Sequence, residues 1–224
     1  MSCHRIDHPT SRREFLSRTG AGFGAVALSA LAMAVATLIY GPLSDRLGRR
    51  PALIAGIVIF LAGSLICAFA NSIGLLVFGR IVQAAGGCAG MVLGRAIVRD
   101  LYDRGRSASA IAYITMAMVV APMVAPAIGG VLTDLFDWSA VFLLGGALGV
   151  LVLIAVRGHL PETLAPRERP ATFGAMLGDF GTLIRLPAFV GFAFQGGFSM
   201  AVFFSFLAAA PYVMITVLER PPSE

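Results

Sequence analysis

Apolar residues in this chain gather into six long blocks separated by polar stretches, over 19–40, 52–70, 73–94, 110–132, 140–156 and 188–214. Within a block the apolar run is nearly continuous. A surface helix of a soluble domain would instead alternate an apolar stripe with a polar face every three or four residues. About 20 apolar residues are what a helix needs to cross a hydrocarbon core of roughly 30 Å, and 140–156 lies near the lower limit. Backbone amides in lipid must find their partners within the segment, so each block is predicted to be helical. The expected fold class is all-α: a polytopic helical membrane protein with about six transmembrane helices.

The polar stretches alternate in charge. Arg46, Arg49 and Arg50 lie in 41–51; Arg95, Arg99, Arg104 and Arg106 lie in 95–106; Arg157, Arg167, Arg169 and Arg185 lie in 157–187. The intervening stretches are poor in arginine: 71–72 is Asn71-Ser72, 133–139 carries Asp134 and Asp137, and the tail after 214 carries Arg220. Arginine excess marks the cytoplasmic side, which places 41–51, 95–106 and 157–187 there. The start breaks the order. Residues 1–18 hold Arg5, Arg12, Arg13 and Arg18, yet parity puts them outside if 19–40 spans, so the chain reads as one helix short at its start. Ser11-Arg12-Arg13-Glu14-Phe15-Leu16 resembles the twin-arginine export motif and precedes a mild Gly/Ala-rich apolar run. Two readings stand: a leader-like segment, natural or from misassembly, or a plain basic tail.

Composition agrees with a membrane protein. Hydrophobic residues make up 58% of the chain and charged residues 13%, and mean hydropathy is +0.85. The net charge of +5 comes from arginine alone, because no lysine is present. Arginines confined to short loops indicate topology rather than a phosphate-binding face, so no nucleic-acid partner is expected. Cys3, Cys67 and Cys88 make no disulfide framework. Cys67 and Cys88 sit inside apolar blocks and are expected to pack as small residues. His4, His8 and His159 lack metal-ligand spacing. Gly20-Ala21-Gly22-Phe23-Gly24-Ala25 matches a loose dinucleotide fingerprint but has no preceding strand, so it is rejected. No nucleophile–base pair is readable, and neither an enzyme nor a cofactor is expected.

Three motifs carry chemistry. Gly41-Pro42-Leu43-Ser44-Asp45-Arg46-Leu47-Gly48-Arg49-Arg50-Pro51 sits at a helix–helix junction. Gly41 and Gly48 permit a tight turn, Asp45 can accept hydrogen bonds from an arginine or a helix N-terminus, and Arg49 and Arg50 hold the turn in the cytoplasm. Arg80-Ile81-Val82-Gln83 puts a guanidinium inside a span. That costs roughly 2.5–3.5 kcal/mol on insertion scales; the bland alternative is that Arg80 snorkels to the interface. Ala121-Pro122-Met123-Val124-Ala125-Pro126-Ala127-Ile128-Gly129-Gly130 places two prolines in one helix, with small residues at 121, 125 and 129 on one face. A second small-residue ridge, Gly86, Gly90 and Gly94, is read as packing, as are Gly145, Gly146 and Gly149.

Taken together these motifs resemble those of the major facilitator superfamily. Arg95-Ala96-Ile97-Val98-Arg99-Asp100-Leu101-Tyr102, Leu160-Pro161-Glu162-Thr163-Leu164 and Trp138 before Phe142 are similar to its Bcr/CflA (bicyclomycin-resistance) drug-efflux branch. The resemblance covers about 33–224 and implies proton-coupled export of small drug-like molecules by the intact family member, from the bacterial inner membrane. It implies a cytoplasmic gate at Gly41, Asp45, Arg46, Gly48, Arg49 and Arg50. It implies a central cavity and proton coupling at Arg80 and Gln83, and an antiporter-type seam at Pro122, Pro126, Gly129 and Gly130. The implied partners are the lipid bilayer, a small hydrophobic or amphipathic substrate, and protons.

On that plan 1–18 is leader-like, 19–156 a partial N-terminal bundle of five helices, 157–187 the central cytoplasmic loop, 188–214 the first helix of a second bundle, and 215–224 a truncated tail. No Asp or Glu falls inside a predicted span, and proton coupling needs a titratable group there. The polypeptide alone is therefore expected not to transport. The alternatives are a truncated or fused fragment with a packing role, or self-association that replaces the missing second half.

Overall fold

A computed structural model describes residues 12–164, 178 and 181–212. The described elements are helices: α1 Arg12–Leu47, α2 Arg49–Ala68, α3 Ile73–Leu101, α4 Arg104–Leu135, α5 Trp138–His159 and α6 Pro187–Tyr212. The all-α expectation holds. Five segments are long and apolar enough to cross a membrane: Ala27–Leu47, Arg49–Ala68, Ile73–Leu101, Arg104–Leu135 and Trp138–His159. The sixth helix contributes the shorter apolar run Pro187–Val202.

The helices outrun the apolar blocks. The stretch 41–51 contracts to a single non-helical residue, Gly48, and 95–106 to Tyr102 and Asp103. Arginine is a good helix former, so a helix need not end where lipid ends. At its start α1 begins at Arg12, so the twin-arginine pair opens a helix that runs on into the first apolar block. The leader segment ahead of Arg12, with Cys3, His4 and His8, lies outside the described residues, as do most of the linker 157–187 (165–177, 179 and 180) and the tail 213–224.

The chain divides into two compact units, Met1–Ile97 with Phe142–Thr163, and Val98–Val141 with Leu164–Glu224. In the first unit, α2 and α3 are antiparallel neighbours joined through Phe69–Ser72. Ser72 starts α3 by accepting the Leu75 amide on its hydroxyl at 3.2 Å, an N-cap that satisfies one orphan amide. The buried residues of α2 are Ala52, Leu53, Gly56, Ile57, Gly63, Ser64 and Cys67; those of α3 are Gly79, Gln83, Gly86, Cys88, Ala89, Leu93 and Ile97. Both sets keep largely to one face of their helix, as a helix–helix seam requires.

Close approach at that seam depends on missing side chains. A Cβ on Gly86 would meet Phe60 backbone and the Gly56 carbonyl, and one on Gly63 would meet the backbone of Gln83. Among the described residues nothing lies within 4 Å of the corresponding positions at Gly90 and Gly94. Of the expected ridge Gly86, Gly90, Gly94, the described residues pack against Gly86. The packed face runs through Gly79, Gln83, Gly86 and Ala89, one step round the helix. Tyr40 of α1 joins the same core, with Met33 and Ala36 packed on it. From α5, Gly149 meets Leu61 and Phe60, and Leu153 and Val156 reach the core. Cys67 and Cys88 are buried and free, as packing residues are.

In the second unit, α4 carries Pro122 and Pro126 within one unbroken helix, and Ser107 is its buried residue. Gly129 and Gly130 have open space around them.

Candidate functional site

The Gly41–Pro51 motif forms a joint built on one residue. The Gly48 amide donates to the Ser44 carbonyl at 3.0 Å, continuing α1, while the Gly48 carbonyl accepts the Ala52 amide at 3.4 Å, starting α2. Gly48 turns the chain with φ 102° and ψ 155°, a region essentially closed to residues bearing a Cβ. Asp45 and Arg49 then fall four residues apart across the joint and pair at 2.9 Å. Arg49 also donates to the Ser44 hydroxyl, and that hydroxyl donates to the Gly41 carbonyl at 2.8 Å. Ser44 is fully buried. Arg46 is exposed. The motif thus binds itself: acid, hydroxyl and guanidinium on the two arms hold the turn shut.

A residue from far along the chain completes it. The Glu162 carboxylate accepts the Arg49 amide on Oε1 at 2.8 Å and the Arg50 amide on Oε2 at 3.2 Å. These are the first two amides of α2, which have no partner inside their own helix. A carboxylate there also faces the positive end of the helix dipole. The Arg50 guanidinium returns the tie, donating to the Arg157 carbonyl at 2.7 Å near the end of α5. The sequence reading used Glu162 only as part of a branch-specific pattern and gave it no role. A Pro-Glu-Thr element just past a helix end offered a signal: an acid placed to cap something, with no indication of what.

The second site surrounds Arg80, about seven residues into α3 and so roughly 10 Å along it. Arg80 donates to Gln83 Oε1 at 2.9 Å. Gln83 Nε2 donates to the Ser64 hydroxyl on α2 at 2.9 Å, and that hydroxyl donates to the Phe60 carbonyl at 2.9 Å. The guanidinium lies 5.8 Å from the centre of the Phe142 ring, within reach of a cation–π attraction. Gln83 is 9% exposed and Ser64 1%, so these two are buried with their polar atoms paired, as burial demands, while Arg80 at the head of the relay is exposed. Arg80 and Gln83 open onto a cleft of about 270 Å³ that is also lined by Ser29, Met33, Phe60, Ala84, Gly87 and Cys88.

The structure therefore groups Asp45, Gly48, Arg49 and Arg50, with Gly41 as acceptor, at one joint, and Arg80 with Gln83 at one cleft. Pro122, Pro126, Gly129 and Gly130 lie on α4 in the other compact unit.

The chain also resembles known proteins over most of its length. The profile of the Major Facilitator Superfamily matches residues 9–219, beginning ahead of residue 33, where the motif resemblance starts. A bicyclomycin resistance protein homolog of Haemophilus influenzae is 31% identical over 86% of this chain and 48% of its own length. The multidrug resistance protein D of Escherichia coli is 34% identical over 75% of this chain and 44% of its own length. An uncharacterized MFS-type transporter of Bacillus subtilis, YdgK, is 34% identical over 81% and 46%. The chain spans about half the length of these curated relatives. The match runs through every described helix and both sites, and the relatives are transport and resistance proteins rather than enzymes: this multi-pass membrane chain belongs to the Major Facilitator Superfamily.

Proposed function

We propose that the chain serves in proton-coupled export of small amphipathic, drug-like compounds across the bacterial inner membrane. The carrying observation is Arg80. An exposed guanidinium oriented by the buried Gln83–Ser64 pair, beside a cleft with a polar and an apolar side, suits a substrate surface. In this reading Arg80 and Gln83 form the substrate-facing wall. Gly41, Asp45, Arg46, Gly48, Arg49 and Arg50 form the cytoplasmic gate, with Glu162 as an added clamp. Pro122, Pro126, Gly129 and Gly130 shape the seam on which a bundle rocks. The multidrug names of the relatives support the substrate class.

A second reading, an assembly role without transport, is favoured by the acids. Within the described helices they are Glu14, Asp45, Asp100 and Asp134, each near a helix end. A membrane-embedded proton carrier must then come from outside these residues.

Reconstitution in liposomes with an imposed pH gradient and an amphipathic fluorescent dye tests both. No dye movement is expected from the chain alone. Gradient-driven movement is expected once the C-terminal half of the E. coli relative is co-reconstituted, and Arg80→Gln should lower it at least tenfold. Movement in neither preparation would remove the exporter reading and leave assembly.

A further inference from the structure

We propose that the Arg80 cleft selects anions: its ligand is a small single-chain amphipathic carboxylate, with the head on Arg80 and the hydrocarbon body along Met33, Phe60 and Ala84. This rests on the reading of the cleft as a substrate surface.

The charge balance carries the proposal. The lining residues are Ser29, Met33, Phe60, Arg80, Gln83, Ala84, Gly87 and Cys88. Arg80 brings the formal charge, and among the described lining residues there is no carboxylate. The partners of Arg80 among the described residues are neutral: the Gln83 carbonyl oxygen and the Phe142 ring. The direction of the relay makes that neutrality durable. Gln83 gives its amide N–H to Ser64, whose own O–H is directed to the Phe60 carbonyl. Gln83 can therefore present only its oxygen to Arg80, and it presents a dipole rather than a charge. A guanidinium has five N–H donors in a planar fork. One goes to Gln83, and the ring of Phe142 takes none of the in-plane donors.

The remaining edge matches a carboxylate, which accepts two parallel N–H bonds from such a fork. A cationic head would meet a like charge there instead of an acceptor. The rest of the lining is mainly apolar and small. The cleft holds about 270 Å³, with the apolar body of the ligand lying along its open wall.

The test uses the purified full chain in an uncharged detergent with three probes of equal chain length: decanoate, decanol and decyltrimethylammonium. Titration calorimetry and the thermal midpoint are read for the chain, Arg80→Gln, Arg80→Lys and Gln83→Glu. Decanoate is expected to bind saturably and at least tenfold tighter than either other probe. Arg80→Gln should erase that preference, and Arg80→Lys should keep part of it. Gln83→Glu, which sets a carboxylate beside Arg80 with almost no change of shape, should erase it too. This last variant decides the matter if Arg80→Gln fails to fold.

Equal binding of the three probes, or a preference that survives both Arg80→Gln and Gln83→Glu, overturns the proposal. A preference for the cation that depends on Arg80 overturns the anion class while keeping the cleft as a binding surface. Binding of none of the probes removes the substrate-surface reading as well. If dioleoylphosphatidylglycerol matches decanoate in the same Arg80-dependent way, the site is a lipid-headgroup site and the proposal fails.

Discussion

Gly86→Leu is expected to leave no monodisperse folded protein in detergent, and Gly86→Ala to lower the thermal midpoint by roughly 5–10 °C. A Cβ at Gly86 would stand 2.6 Å from the Gly56 carbonyl oxygen and 2.7 Å from Phe60 Cα. Both are backbone atoms of α2, so no side chain can swing aside and the helices must part. Parting them also loosens Gly63 against Gln83, Gly79 against Cys67, and the Gln83–Ser64 hydrogen bond. Overpacking of this kind costs about 1–3 kcal/mol or somewhat more, and each kcal/mol moves the midpoint of a chain this long by about 2–4 °C. Gly90→Ala, on the open side of the same helix, should change the midpoint by no more than about 2 °C. Equal losses at Gly86 and Gly90 would show that the seam does not run where the structure puts it.

The second large effect is expected at Gly48. Alanine there must adopt a backbone conformation that costs about 1–3 kcal/mol, and its Cβ would press on the Glu162 carboxylate and lie 3.3 Å from Pro51 Cδ. Glu162→Gln keeps the shape but removes the charge that faces the two amides, a loss of about 1 kcal/mol by analogy with helix caps. Gly48→Ala should therefore destabilise by about 2 kcal/mol or more. The double variant should lose less than the two single losses combined, because both act on one contact. Hydrogen exchange at Arg49 and Arg50 is the local readout, and it should quicken in both single variants. Strict additivity, or unchanged exchange at those two amides, would mean that Glu162 does not hold the joint.

Much of this was legible in the sequence because lipid leaves few options. A long apolar block must be a helix, so the six long helices among the described residues could be named from hydropathy, whereas the helical turn at 181–184, inside the polar stretch 157–187, could not. The Gly48 turn was legible because glycine followed by two arginines between apolar blocks has few other uses. The ends of the helices were not, since hydropathy reports where lipid ends, not where hydrogen bonding ends; α3 carries on from 94 to Leu101. The packed face of α3 was also hidden. That helix has glycines on more than one side, and spacing alone cannot say which side meets α2. Glu162 was beyond reach for a different reason. Its partners lie more than a hundred residues earlier in the chain, and only the packing of α5 on α2 brings them together. Arg80 and Gln83 were found because a charge in an apolar block is conspicuous. Ser64, which orients Gln83, was not, since a serine among small apolar residues is unremarkable.

The single-residue joint between α1 and α2 has a mechanical consequence. With no slack between them, the two helices are threaded on one screw, and the rotational phase of α2 is inherited from α1. One residue added after Gly48 would advance α2 by about 100° about its axis. That would carry Gly56 and Gly63 off the α3 side and bring bulkier neighbours into the seam. The same lack of slack means that any displacement of α1 is delivered undamped to the wall that holds Ser64 and, through it, to Arg80.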